Sequence, residues 1–132
     1  MPTIVINTPA MSAPRRREVS VRLTRWLYRR GSDRRHVVVR FEETDEGSVF
    51  VGGMPVEALP DSGEALHYAS VLCCIAEGWD EQFRDELARE IAQALGMTES
   101  TALLYIEFRP TSRGDVRFGV AGQLRSAAET GD

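Results

Sequence analysis

The chain of 132 residues contains no lysine; all 16 of its permanently basic side chains are arginine. That uniformity reflects a compositional bias and by itself points to no mechanism. Cysteine is nearly as scarce, since Cys73 and Cys74 are the only two and stand side by side. Adjacent strand residues point to opposite faces. A disulfide framework is therefore not expected, and reduced, buried thiols in a cytoplasmic protein are. His36 and His67 are the only histidines, neither has neighbours at metal-ligand spacing, and vicinal cysteines make no zinc pattern. No phosphate loop or glycine-rich dinucleotide turn occurs. Neither a metal nor any other cofactor is expected. The longest apolar run, Tyr68 to Ala76, suits a buried strand and falls short of a membrane span. The start lacks the basic-then-apolar order of a secretory leader, so a cytoplasmic location without a membrane partner is expected.

What is present amounts to one domain, long enough to bury a core. Thr3 to Ile6 is a short β-branched run broken by Asn7, Thr8 and Pro9. Ser12, followed by Ala13 and Pro14, predicts a capped helix start. Val19, Leu23, Trp26 and Leu27 then form one apolar stripe, and Gly31 stops the helix. His36 to Glu43 predicts a strand, and Ser48 to Val51 a short one ended by Gly52 and Gly53. Residues 54–66, with Pro55, Pro60 and Gly63, make a connector. The pattern then recurs. Tyr68 to Ala76 is a strand, Glu77-Gly78-Trp79 a turn, and Asp80 the N-cap of a helix with the stripe Phe83, Leu87, Ile91, Leu95, ended by Gly96. Ala102 to Arg109 is a strand, Pro110 to Gly114 a turn, and Val116 to Val120 a short strand before Ala121 and Gly122.

Corresponding features lie 66–69 residues apart, so the chain reads as one β-α-β-β unit duplicated. Repeat one spans 2–53, the connector 54–66, repeat two 67–124, and a tail 125–132. A helical connection within each repeat favours a parallel strand pair. The expected architecture is a two-layer α/β domain: a four-stranded, mainly parallel-paired sheet with two helices on one face, plus short ribbons. Ten arginines fall within residues 1–40, yet the second helix carries Asp80, Glu81, Asp85, Glu86 and Glu90. Two helices packed side by side would pair basic with acidic. With no recognised module and no aromatic interleaving, no nucleic-acid partner is expected.

The other conspicuous feature is Pro2, opening directly into Thr3-Ile4-Val5-Ile6. A proline start, the β-α-β-β unit and the Gly-Gly after the ribbon together resemble the tautomerase superfamily, with two 4-oxalocrotonate tautomerase-like halves fused. Ser48-Val49-Phe50-Val51-Gly52-Gly53, Glu77-Gly78 and Tyr105 before Pro110 are similar to the long-subunit group around cis-3-chloroacrylic acid dehalogenase. The resemblance runs from Pro2 to about Leu124. It implies a catalytic amino-terminal proline in a homotrimer whose sites lie near subunit contacts. Only the first half carries that proline; Val71 stands at its counterpart.

Chain-terminal amines titrate near 8 in model peptides, and an apolar pocket lowers this further. With Met1 removed, Pro2 could act as a neutral general base near pH 7, or attack a carbonyl to form an iminium. Several residues depart from the family pattern. The arginines flanking Glu-Gly that bind a carboxylate are replaced by Ala76 and Trp79, and the water-activating acid by Arg117. The short-subunit arginines correspond to Met11 and Val38. A hydratase-type dehalogenation is therefore not expected, and the lost clamp points to a different substrate.

By resemblance, Tyr105 would donate to a substrate oxygen, or else pack in the sheet layer. Arg40, two residues from Val38 and on the face opposite Val37, Val39 and Phe41, is a candidate substrate ligand or a solvated strand end. Arg117 could replace the clamp or face solvent, with Phe118 beside it. Trp79 could wall the pocket or staple the second helix. The leading expectation is a cofactor-independent tautomerase or isomerase acting on a small enol or unsaturated carbonyl compound, aromatic or more apolar than usual. Pro2 would be its base then acid, with Tyr105 and Arg117 or Arg40 holding the oxyanion. The alternatives are a Pro2-iminium lyase, decarboxylase or carbon–carbon bond-forming enzyme, and a non-catalytic trimeric binding protein.

Overall fold

The computed structural model describes residues 2–61, 63 and 65–130. Strand β1, Thr3–Thr8, alternates as expected, with Ile4 and Ile6 fully buried. It runs two residues past Ile6, where Thr8 and Asn7 each find a side-chain partner. The Thr8 hydroxyl donates to the Tyr68 carbonyl at 2.7 Å, and Asn7 Oδ1 accepts from the Thr44 hydroxyl. Helix α1, Ala13–Arg29, opens with Ser12 accepting the Arg15 N–H and buries Val19, Leu23 and Leu27. The basic run after Gly31 does not begin a strand. Arg34–His36 forms a 3-10 turn capped by the Asp33 carboxylate, and β2 is Val38–Glu43.

Ser48 and Val49 lie outside the short ribbon, which comprises β3, Phe50–Val51, and β4, Met54–Pro55. Their register, Phe50 opposite Pro55 and Val51 opposite Met54, leaves Gly52 and Gly53 as a two-residue loop, both at positive φ. Only such a loop matches strand twist in a tight hairpin, and glycine enters it without steric cost. The glycines thus fold the chain back on itself, drawing the start of the expected connector into the ribbon.

The second repeat follows the same plan: β5, Tyr68–Ala76; α2, Glu81–Leu95; β6, Leu103–Thr111. Asp80 caps α2 by accepting the Phe83 N–H, and Gly96 ends it in the left-handed region. β6 extends through Pro110, which sits on an edge strand where no ladder donor is needed. Its ribbon is β7, Arg117–Val120, and β8, Gln123–Ser126. The segment read as a tail therefore supplies half of β8 and the short helix α3, Ala127–Thr130, whose Ala127 is fully buried.

The main sheet has the order β2-β1-β5-β6. Both outer pairs are parallel and the central β1–β5 pair is antiparallel. The core lies between this sheet and the two helices; Leu23, Leu27, Leu87 and Ile91 from the helices meet Ile4, Ile6, Val71 and Cys73 from the strands. Ser12 and Asp80, Val19 and Leu87, Leu23 and Ile91, and Leu27 and Leu95 correspond at one constant offset of 68 residues. The helices meet as their charges require: Arg22 pairs with Glu90 and donates to Gln93, and Arg30 pairs with Glu86. Among the described residues, no helix is long and apolar enough to cross a membrane.

Candidate active site

Because β1 and β5 run antiparallel, the head of β1 meets the tail of β5, with Thr3 opposite Cys74. Pro2 lies at that junction, buried, its carbonyl accepting the Val38 N–H at 3.1 Å. Around it is a cavity of about 260 Å³. Ile75 and Ala76 from β5, Leu27 from α1 and Phe83 from α2 line it, with Trp79 from the turn before α2. Two guanidinium groups also line it: Arg30, the C-cap of α1, and Arg113, from the 3-10 turn after β6. Apolar walls and two cations around a terminal secondary amine would both disfavour its protonation.

The aromatic wall is layered. Trp79 stacks on Phe83 at 4.1 Å and 21°, and Phe83 leans on Trp26 at 5.6 Å. Arg30 covers the other part of the assembly, its guanidinium carbon 3.6 Å from the Trp26 ring centre. Trp79 thus both walls the cavity and braces the first turn of α2. Sequence periodicity placed Trp26 and Phe83 in helix stripes, but their tilted contact beside the cavity is a tertiary feature.

Of the other candidates, none lines this cavity within its own chain. Tyr105 points from the uncovered face of edge strand β6, half exposed, and donates to Glu107 at 3.0 Å. That hydrogen bond raises the phenol's pKa, while Arg109 and then Tyr105 hold the Glu107 carboxyl below its usual range. Arg40 pairs with Glu42 at 3.1 Å beside a depression on the same open face. Arg117 donates through Nη1 to the carbonyls of Gly114 and Val116 and to the Ser126 hydroxyl, bracing the β7–β8 hairpin. Phe118 packs against the His36 ring at 4.0 Å in a separate depression. The structure instead supplies Arg30 and Arg113. Arg30 had a faint signal, four residues beyond Trp26 on one helix face; Arg113, in a turn, had none.

Other chemistries find little support. No group of three or more metal-ligating side chains is assembled among the described residues. Burial, and then the neighbouring Cys74, push the Cys73 thiol up to about 12, so it stays protonated and inert. The second repeat has no copy of the site's chemistry. At the helix offset of 68, Met11 stands for Trp79 and Arg15 for Phe83. Arg15 reaches across and donates to the Ala94 carbonyl at 2.6 Å.

No family model matches the chain, and no curated protein matches it. Solved structures do match in shape. Native fused 4-OT aligns over 98% of this chain and 99% of its own, at 21% identity and TM-score 0.69. A wild-type fused 4-OT symmetric trimer gives 17% identity over the same shares and TM-score 0.69. A member of the cis-3-chloroacrylic acid dehalogenase family gives 16% identity over 98% of this chain and 87% of its own, TM-score 0.69. A malonate semialdehyde decarboxylase inhibited by 3-bromopropiolate gives 14%, 98%, 95% and 0.67 in the same order. At these identities the likeness is one of fold: the chain shares the fold of the fused 4-OT structures over nearly its whole length.

Proposed function

We propose that this chain is a cofactor-independent, proline-based tautomerase or isomerase of small enol or unsaturated carbonyl acids. The observation that carries the reading is the position of Pro2, buried at the head of β1 against a cavity that holds two arginines. Removal of Met1 would leave a secondary amine facing that cavity. Desolvation and the charges of Arg30 and Arg113 act in one direction, keeping the amine neutral and basic. The amine takes a proton from carbon or from an enol oxygen and returns it at the conjugate position. Guanidinium N–H groups stabilise the negative charge that develops on oxygen between these steps. Trp79 and Phe83 offer a flat wall suited to a conjugated or aromatic substrate body.

The shapes most similar to this one include enzymes whose names specify acids: a chloroacrylic acid and a malonate semialdehyde. That supports an acid substrate here too. The fused 4-OT structures are trimers, and the reading extends to a cytoplasmic homotrimer. In such a trimer Tyr105, exposed on an edge strand, serves the cavity of a neighbouring copy. Arg40, Arg117 and Phe118 lie outside the cavity of their own chain and have no part in this scheme.

Intact-mass measurement, followed by assay of keto–enol exchange on an arylpyruvate, tests the reading. The expected result is a mass lacking Met1 and turnover lost in Pro2→Ala. Retained Met1, or undiminished turnover by Pro2→Ala, overturns it. Borohydride trapping of a covalent adduct to Pro2 would shift the mechanism to an iminium.

A further inference from the structure

Ala76 and Trp79, where the family resemblance implied arginines, both line the Pro2 cavity. The expected clamp is absent at those positions, yet the cavity is not uncharged. Arg30 enters it from the C-terminus of α1, a different element. A cation is favoured there by the partial negative charge of a helix end.

Two contacts orient this guanidinium. Its face lies 3.6 Å from the Trp26 ring centre, and Nη2 stands 3.6 Å from Glu86 Oε2. Glu86 is itself anchored, its Oε1 accepting from Gln82 Nε2 at 3.1 Å on the same helix. At 3.6 Å the carboxylate attracts the guanidinium without the close bond, near 2.8 Å, that would consume its donors. The ring takes the flat face and leaves the rim, where five N–H groups project. The arrangement holds a bidentate donor in place while keeping its hydrogen-bonding capacity for a ligand.

We propose that Arg30 is the relocated carboxylate anchor of this cavity, and that Glu86 and Trp26 are its positioning residues. The guanidinium role lies at the end of α1, and Trp79, in the turn between β5 and α2, is an apolar wall. The inference rests on the proposed function for the identity of the reacting amine, but not for the existence of an anion site.

Calorimetric titration with phenylpyruvate and with its uncharged analogue phenylacetone tests it without any need for turnover. The protein is expected to favour the acid by about tenfold or more, the usual scale of charge-assisted hydrogen bonds. Arg30→Gln should cut that preference about tenfold, with Arg113 the cation left in the cavity. Glu86→Gln should reduce it several-fold, because the guanidinium loses its alignment. A double variant, Arg30→Gln with Trp79→Arg, should regain part of it by placing a cation on another wall of the cavity. No preference in the unaltered protein, or an undiminished preference in Arg30→Gln, overturns the anchor. An undiminished preference in Glu86→Gln overturns the positioning role. Loss of turnover is not the readout, so Pro2→Ala should keep the full acid preference. If the preference holds but no enolisable acid is turned over, the proline chemistry fails while the anchor stands.

Discussion

At the scale of single residues, the most informative position is one where the two halves differ. The first ribbon turns on Gly52 and Gly53, the second on Ala121 and Gly122, and Ala121 has φ +54°. It is the only described non-glycine residue at positive φ. An alanine there bears a steric cost of roughly 1 kcal/mol that a glycine avoids. Ala121→Gly should therefore stabilise the protein by about 0.5–1 kcal/mol, less the added freedom of the unfolded chain; urea unfolding measures it, and a destabilised variant contradicts the strain. His36 offers a second test. Burial lowers its pKa below the ordinary 6.5, with Asp33 opposing and Arg35 adding to the shift. A histidine held neutral in the fold takes up its proton on unfolding, so its contribution is present above pH 6.5 and lost as pH falls through the region below. His36→Phe should flatten the acid side of a stability–pH profile below about pH 6.5, and an unchanged profile would assign that slope elsewhere.

At the scale of elements, the helices were the most legible part of the chain. Their stripes, caps and stops follow from short-range rules, and α2 begins and ends where Asp80 and Gly96 place it. The strands were legible in number but not in extent. β1 outran its apolar residues because Thr8 finds a partner on β5 and Asn7 one just past the end of β2, and no local pattern announces a partner as far as sixty residues away. The helix–strand interface is where stability concentrates. Leu87 is fully buried in the middle of α2 among core residues of both layers. Leu87→Ala should cost about 2–5 kcal/mol, read from denaturant midpoints; a loss under 1 kcal/mol would mean the core closes over the gap.

At the scale of the whole molecule, a duplicated chain has one candidate site. The same topology brings the head of one strand to the tail of another at both ends of the central pair. At one end this creates a cavity with Pro2, while near the other Arg15 crosses to the backbone of α2. The proposed trimer gives Tyr105 its role through a second copy. If so, refolding a mixture of Pro2→Ala and Tyr105→Phe chains should recover activity that neither variant shows alone. Mixed trimers would hold some sites with both groups intact. An additive or lower yield of activity in the mixture contradicts a shared site.

The chain's residues by themselves determined the duplication, the two helices with their caps, the α/β layering, and Pro2 as the candidate reactive group. The first three depend on periodicity or on turn chemistry, which act over a few residues and leave a direct mark in the order of side chains; Pro2 is a candidate through the family resemblance. Which charged groups surround Pro2 was decided only by tertiary structure. Arg40, Arg117 and Tyr105 looked suitable from their strands, but none of them lines the Pro2 cavity within its own chain. Arg30 and Arg113 come from a helix end and a turn that the antiparallel β1–β5 pairing brings to one place. Long-range convergence of this kind depends on how strands cross and helices dock, and residues separated by eighty positions carry no local sign of it.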